Sequence, residues 1–299
     1  MMFLGLLLAG LGIAAFADFG GSDDTESDEG NDANTNTDDE INTTGGVNDE
    51  VTSRSITRDG EVGLMLEGSD SDNEIYATNG PDILSGEDGD DSLRGRDGQD
   101  YLLGGDGEDS LYGQTADDLL HGGSGDDELH GGSGNDTLFG AGGDDALYGG
   151  PGNDELVGAD IFNRDLEIAD RYTPEDPSSP LALATPTEEE ANLLDGGEGD
   201  DCILMGEGDT ATGGAGNDHF EVGYWVEDED NVPRITDFNE AEDVIEVHYL
   251  AGDPEPAITL GIEGDETLVY ADGQLVVRVQ GDSDSLTASD VQLAEITVS

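Results

Sequence analysis

Apolar residues in the middle of the chain recur at every ninth position. From Gly86 to Val157 the sequence divides into eight nonapeptides without insertion or deletion. The eighth position of every unit is leucine: Leu93, Leu102, Leu111, Leu120, Leu129, Leu138, Leu147 and Leu156. Because each leucine stands between two positions of variable type, the pattern is that of a short strand with one inward side chain. The spacing predicts a series of such strands, each followed by a turn.

The polar positions of the unit are equally regular. The first position is Gly in all eight units, and the fourth is Gly in seven, with Ala116 as the exception. Glycines this close together allow positive φ angles, so the chain can turn sharply and aim its carbonyl oxygens at one point. The sixth position is always aspartate: Asp91, Asp100, Asp109, Asp118, Asp127, Asp136, Asp145 and Asp154. Carboxylate and carbonyl oxygens are calcium ligands, whereas zinc and copper favour His or Cys.

Weaker copies of the unit flank this block. They are Gly68–Tyr76 and Ala77–Ser85 before it, and Gly196–Leu204 and Gly213–Glu221 after it. These copies add three candidate calcium ligands: Asp82, Asp201 and Asp218. Between the last two copies lies an eight-residue version, MGEGDTAT, with Thr210 where the aspartate belongs. We expect this short unit to lack a metal site.

The nonapeptide over residues 68–221 resembles the repeats-in-toxin (RTX), or hemolysin-type, calcium-binding family. The resemblance implies an all-β fold: a right-handed parallel β-roll with two nonapeptides per coil and several Ca²⁺ ions between coils stacked on the same edge. It implies that Asp91 shares an ion with the turn of Asp109, and Asp100 with that of Asp118, in steps of eighteen. Stacked carboxylates repel one another without a cation, so we expect folding to be coupled to calcium binding.

Composition divides the remainder of the chain. Residues 1–17 are uncharged and apolar, which predicts a secretory leader or membrane anchor, and residues 18–60 form an acidic stretch that predicts a disordered spacer. The first β-roll block is placed at 61–157 and a second repeat block at 193–221. The insert between them, 158–192, is rich in proline, and we expect a mobile loop more than a binding surface. Within it, Thr187 and Glu190 form a capping box for one short helix.

Residues 222–299 are predicted to form a C-terminal β cap that covers the last edge of the roll. The segment ITDFNEAEDVIEV resembles the one that commonly closes hemolysin-type arrays, although Ala241 replaces the expected Gly. A calcium role for Asp237 and Asp243 is therefore left open. The whole tail is similar to the cap of RTX proteins exported by type I machinery, and this implies a secretion signal at the extreme C-terminus.

Two features of the cap can be predicted from its own residues. Asp272-Gly273 joins ETLVY to QLVVRVQ and is a strong hairpin signal. Trp225 and Phe238 are expected in the core of the cap.

The charge and the missing residue types exclude several functions. With 74 acidic and 8 basic residues, the formal charge is -66, so the chain should repel nucleic acid and bind cations. No lysine is present, which excludes a Walker-type phosphate loop and Schiff-base chemistry. His121 and His130 should point outward from opposite sheets, and His219 should be a solvated surface residue. Cys202 is expected to be an inert outward thiol.

These observations predict a non-catalytic calcium-binding protein that is secreted or displayed on the cell surface and folds on meeting extracellular calcium. Its expected partners are calcium ions and a glycan or cell-surface partner, with membrane anchoring through residues 1–17 and no nucleic acid. The oligomeric state does not follow from the sequence. The alternative is an accessory or truncated member of a secreted RTX enzyme family, of epimerase, protease or lipase type, with the roll as carrier.

Overall fold

The computed structural model describes residues 52–58, 61–158, 191–223, 226, 231–282 and 286–296. Within these ranges every regular element of secondary structure is a strand. The described part of the chain accordingly offers no helix with the length and apolar character to cross a membrane. The predicted leader, most of the spacer, most of the insert with its capping box, and Trp225 lie outside the described residues.

The strands form two sheets of eleven strands each. In chain order they are β1 (Thr52–Arg58), β2 (Glu61–Glu67), β3 (Glu74–Tyr76), β4 (Ile83–Asp88), β5 (Ser92–Asp97), β6 (Tyr101–Asp106), β7 (Ser110–Thr115), β8 (Leu119–Ser124), β9 (Glu128–Ser133), β10 (Thr137–Gly142), β11 (Ala146–Pro151), β12 (Glu155–Val157), β13 (Leu193–Glu198), β14 (Cys202–Leu204), β15 (Thr210–Ala215), β16 (His219–Gly223), β17 (Arg234–Asn239), β18 (Val244–Leu250), β19 (Ile258–Glu263), β20 (Glu266–Ala271), β21 (Gln274–Asp282) and β22 (Gln292–Ile296). The first sheet has the order β1-β2-β4-β6-β8-β10-β12-β14-β16-β18-β22, and the second has the order β19-β20-β21-β17-β15-β13-β11-β9-β7-β5-β3. Successive strands of the repeat region therefore alternate between the two sheets.

The strand register shows that two nonapeptides make one coil. In the first sheet Leu84 pairs with Leu102, and Leu102 with Leu120, in parallel. In the second sheet Leu93 pairs with Leu111 in the same way. These eighth-position leucines, from Leu84 to Leu156, are 0–2% exposed and fill the space between the sheets. The predicted fold class, an all-β parallel roll with two nonapeptides per coil, is confirmed, and each buried leucine adds about 1.5–3 kcal/mol of hydrophobic stabilisation.

The roll begins earlier than the sequence predicted. Strand β1 pairs antiparallel with β2 along its whole length, from Thr52↔Glu67 to Arg58↔Glu61. The prediction of a disordered spacer up to residue 60 is therefore wrong for Thr52–Arg58. This segment, TSRSITR, lacks the acidic residues of the preceding stretch, and pairing it with β2 covers what would be the exposed edge of the first sheet.

The C-terminal part extends both sheets before it closes them. Strands β17 and β18 pair in parallel with β15 and β16, so the roll continues through the closing segment. Strands β19, β20 and β21 then form an antiparallel meander beside β17. Asp272 and Gly273, with φ of 52° and 91°, make the predicted hairpin turn between β20 and β21. Phe238 is 1% exposed, which confirms its place in the core.

Candidate metal sites in the stacked turns

The turns of the roll stack into two columns, one on each edge. The first column is formed by the turns through which the chain passes from the first sheet to the second. Its sixth-position residues are Asn73, Asp91, Asp109, Asp127, Asp145, Asn192 and Asp209. The second column contains Asp82, Asp100, Asp118, Asp136, Asp154, Asp201, Asp218 and Asp243. All eleven aspartates predicted as calcium ligands are in these columns and are 0–3% exposed.

One oxygen of each carboxylate holds adjacent coils together. The backbone N–H of Asp91 donates to Asp109 Oδ1 at 2.7 Å, and that of Asp109 donates to Asp127 Oδ1 at 2.8 Å. The same bond crosses the insert, because the N–H of Asp154 donates to Asp201 Oδ1 at 2.8 Å over 47 residues. Each column is therefore a ladder in which every carboxylate accepts from the coil before it.

The second oxygen of most of these carboxylates has a different environment. Oδ2 is buried and makes no hydrogen bond in Asp91, Asp109, Asp118, Asp127, Asp136, Asp154 and Asp201. A buried carboxylate oxygen without a partner is strongly destabilising unless a cation or a donor reaches it. The open oxygens thus fit a hard cation that takes oxygen ligands, the chemistry of Ca²⁺.

The first-position glycine of each unit makes room for this oxygen. A Cβ added to Gly104 would lie 2.2 Å from Asp109 Oδ2 and 2.5 Å from the carbonyl oxygen of Gly122. Positive φ angles occur instead at the second and fourth positions, as in Gly105 (129°) and Gly107 (145°). The prediction that all the glycines serve to permit positive φ is therefore wrong for the first position, where the requirement is close approach.

Burial makes the ionised carboxylates unfavourable when no counter-ion is present. Burial raises the pKa of Asp109 to about 6 and that of Asp127 to about 8. Burial also raises the pKa of Asp118 to about 9, and the like charges of Asp100 and Asp136 on the same edge add to this rise. A bound cation reverses the balance, because it favours the charged form of its ligands.

Two members of the columns, Asp82 and Asn192, depart from the pattern. Asp82 uses both oxygens: Oδ1 accepts from the N–H of Leu64 at 2.5 Å, and Oδ2 accepts from the N–H and hydroxyl of Thr78 at 2.6 and 2.9 Å. Asn192, which the sequence predicts as the last residue of the insert, stands in the first column, and its Nδ2 donates to Gly158 O at 2.6 Å. The columns therefore contain neutral or already satisfied acceptors beside the open carboxylates.

The short unit at 205–212 has its aspartate one residue earlier than predicted. Asp209 is 1% exposed, and its Oδ1 accepts from the N–H of Asn192 at 2.9 Å. Thr210 pairs with Leu193 and begins the next strand, so the missing residue shortens the turn. Asp209 Oδ2 accepts from the N–H of Gly206 at 2.6 Å. The identification of Thr210 as the sixth position was wrong because it kept the nine-residue spacing through a deletion. The segment GEGD, which ends at Asp209, was the sequence signal for the correct aspartate.

Asp237 and Asp243, whose role the sequence left open, are both acceptors for backbone N–H groups. Asp243 Oδ1 accepts from Asp218 at 3.1 Å, and its Oδ2 accepts from Asn239 at 2.7 Å. The two oxygens of Asp237 accept from Gly213 and Gly214, each at 2.9 Å. Asp243 therefore continues the second column, and Asp237 ties the closing segment to the last repeat.

The histidines that the sequence placed on the surface are partly exposed, and each has a defined environment. His121 lies in β8 of the first sheet and His130 in β9 of the second, on opposite sheets as expected. The His130 ring is stacked between Tyr112 and Tyr148, with centroid distances of 4.9 and 4.7 Å. The His219 side chain is 35% exposed, so it lies at the surface as predicted, but its Nε2 atom is buried.

Comparisons with known proteins give a family match in the repeats and similarity to solved structures. The sequence profile described as the RTX calcium-binding nonapeptide repeat (4 copies) matches residues 67–102, 94–129, 103–138, 121–156 and 205–223. The chain is similar to the AlgE6R3 subunit of the mannuronan C5-epimerase from Azotobacter vinelandii, with 22% identity and a TM-score of 0.21, over 60% of this chain and 79% of that one. It is also similar to the extracellular lipase LipA from Serratia marcescens, with 17% identity and a TM-score of 0.25, over 74% of this chain and 40% of the lipase. A search of curated protein sequences gave no match.

Proposed function

Residues 67–156 and 205–223 belong to the family of RTX calcium-binding nonapeptide repeats, and from this premise we propose a non-catalytic, calcium-dependent structural protein that acts outside the cell. Its roll folds when extracellular Ca²⁺ enters the stacked turns. Calcium is low inside cells and abundant outside, so the chain would pass through an export machine unfolded and fold afterwards. The folded, strongly acidic surface would then serve adhesion or matrix contact, with a glycan or cell-surface partner.

The observation that carries the proposal is the series of buried carboxylate oxygens without hydrogen bonds. In the first column Asp91, Asp109 and Asp127 each direct one oxygen into the protein without a donor, and in the second column Asp118 and Asp136 do the same. These carboxylates, with the carbonyl oxygens of the glycine turns, would hold the ions. Bound calcium would supply the positive charge that offsets their burial and their mutual repulsion.

The ladder geometry explains why folding should be cooperative. Each carboxylate is both an acceptor for the preceding coil and a candidate ligand, so the same side chain serves the backbone of one coil and the ion of the turn. Ordering one coil therefore positions the ligand of its neighbour. We expect the metal-free chain to lose the roll because the open carboxylates accumulate charge along each edge.

The test is a calcium titration of the full chain followed by far-UV circular dichroism, with magnesium as the matched control. We expect a cooperative gain of β signal between sub-millimolar and millimolar calcium and none with magnesium, which prefers octahedral sites that keep water. A β spectrum already complete in EGTA, or a chain that stays unfolded in calcium, would overturn the coupling of folding to calcium. Turnover of a polysaccharide, casein or an ester by the calcium-loaded chain would overturn the non-catalytic part.

A further inference from the structure

Five side chains with metal-binding chemistry lie together on the outer face of the first sheet, away from the stacked turns. They are Cys202 on β14, His219 and Glu221 on β16, and Glu246 and His248 on β18. Residues two apart on a strand share a face, and neighbouring strands are about 4.8 Å apart. Cys202 pairs with His219, and Glu221 with Glu246, so the sheet register brings all five to one place.

The distances within this cluster suit a single small cation. Cys202 Sγ lies 3.3 Å from Glu221 Oε1, and His248 Nε2 lies 3.3 Å from Glu221 Oε2. The ligand atoms of Cys202, His219 and Glu221 are all within 4.8 Å of one another. Zinc bonds of about 2.0–2.3 Å in tetrahedral geometry place ligand atoms roughly 3.3–3.7 Å apart. Small side-chain adjustments would therefore bring these three atoms to bonding positions.

Burial makes the cluster unlike an exposed group of acids. Glu221 is 5% exposed and His248 is 8% exposed. Leu204, which pairs with Glu221, belongs to a hydrophobic cluster with Val226, so apolar side chains lie beside this group. His219 Nε2 is buried and makes no hydrogen bond, and its nearest carboxylate oxygen, Glu246 Oε2, is 3.6 Å away. A positive charge at the centre of the group would stabilise the carboxylates and give the His219 nitrogen a partner.

We propose that Cys202 Sγ, His219 Nε2 and Glu221 Oε1 form a site for a divalent transition metal of the zinc type. Sulfur and imidazole nitrogen select such a metal over calcium, which takes oxygen ligands. On binding, the thiol proton of Cys202 leaves to solvent, and the resulting thiolate and the Glu221 carboxylate together match the two charges of the metal. The fourth position is open to water or to Glu246.

His248 is a positioning residue in this arrangement. Its Nε2 lies 3.3 Å from Glu221 Oε2 and 3.0 Å from Glu246 Oε1, so it bridges the two carboxylates. That contact directs the other oxygen of Glu221 toward Cys202, as outer hydrogen bonds orient the ligands of known metal sites. The site belongs to the last coils of the roll and lies on the outer face of the strands that follow the turns of Asp201 and Asp218.

The test uses Co²⁺ as a spectroscopic probe on the calcium-loaded full chain. We expect one equivalent of Co²⁺ to produce a thiolate-to-metal charge-transfer band in the near ultraviolet and the visible bands of a tetrahedral ion, both lost when Zn²⁺ is added. Cys202 is the only cysteine of the chain, so the band reports this site alone. Cys202→Ser should abolish the band, and His219→Gln should weaken Co²⁺ binding by about tenfold or more.

A matched control is available on the other sheet. His130 Nε2 lies 2.8 Å from Glu128 Oε1, so it is also a histidine beside a carboxylate, and His130→Gln should leave the cobalt titration unchanged. Far-UV spectra in calcium show whether each variant keeps the roll. The proposal is overturned if a folded chain gives no charge-transfer band, if Cys202→Ser binds Co²⁺ as tightly as the parent, or if millimolar calcium displaces the metal. Protection of the Cys202 thiol from alkylation by Zn²⁺ gives a second readout, and an unchanged alkylation rate would also refute the site.

Discussion

Replacing Asp109 by asparagine should change stability in opposite directions with and without calcium. Asp109 Oδ1 accepts from the N–H of Asp91 at 2.7 Å, and Oδ2 is buried without a hydrogen bond. Asparagine keeps the shape and the first acceptor but removes the charge and one candidate ligand. Asn192 already occupies the equivalent place in the same column, so the amide is compatible with the ladder.

The magnitude follows from the pKa of this carboxyl. Burial raises the pKa of Asp109 from 3.8 to about 6, which is about two units. At 1.36 kcal/mol per unit, the ionised side chain destabilises the metal-free roll by about 3 kcal/mol above pH 7. Asp109→Asn should therefore stabilise the metal-free fold by up to about 3 kcal/mol, while in calcium it should weaken the site that loses its carboxylate.

Two titrations measure the two effects. Folding in EGTA can be driven by trimethylamine N-oxide, which favours compact states, and the variant should fold at a lower osmolyte concentration than the parent. Folding by calcium should need a higher free calcium concentration. Asp88→Asn is the control, because Asp88 is an exposed aspartate in the same coil region and the change in charge is identical. If Asp109→Asn shifts neither midpoint more than Asp88→Asn does, the open carboxylates are not the origin of the proposed calcium requirement.

Two further predictions concern acid and the first-position glycine. In EGTA the β signal should rise as the pH is lowered from about 9 to about 4, because the raised pKa values of Asp91 (about 7), Asp118 (about 9) and Asp127 (about 8) make the folded state bind protons that the unfolded chain, at 3.8, releases. A metal-free spectrum that shows less β structure at pH 5 than at pH 8 would contradict this sign. Gly104→Ala should raise the calcium midpoint, because its Cβ would lie 2.2 Å from Asp109 Oδ2, and cost about 1–3 kcal/mol in calcium. Gly252→Ala, where φ is +97° and nothing lies within 4 Å, should cost roughly 1 kcal/mol and leave the calcium midpoint unchanged, and equal midpoint shifts in the two variants would refute the role of the first-position glycine.

The period of the sequence was sufficient to predict the core and the columns. Leucine at the eighth position and aspartate at the sixth take the same place in every nonapeptide, and Leu102 and Asp109 are buried there. The reason for glycine at the first position was not predictable, because the contact between Gly104 and Asp109 Oδ2 depends on the side-chain conformation of the aspartate. The sequence does not distinguish a glycine that is needed for a positive φ angle from a glycine that is needed because a side chain would collide with a neighbouring atom.

Departures from the period were harder to predict. Asp209 was missed because a one-residue deletion shifts the register, and the hydrogen bond from Asn192 restores it in space. The cluster around Glu221 was missed for a related reason. Glu246 and His248 reach it only because the closing segment forms one more coil, in which Asp243 follows its column partner Asp218 by 25 positions. Which residues are neighbours across strands depends on the strand order, and the strand order cannot be predicted from the sequence where the repeat spacing is irregular.

The alternation of strands between two sheets has a consequence for how this protein can change in length. Inserting one nonapeptide would transfer every later strand to the opposite sheet and bring β17 and its meander to the wrong side of the roll. Inserting eighteen residues would leave both columns in register, and the described structure keeps this parity even where Asp154 finds its column partner Asp201 47 residues later. The number of coils is therefore free to vary while the two ends stay the same. Each added coil would lengthen the roll by one strand spacing, about 4.8 Å, so the distance between its two ends can be set in steps of that size.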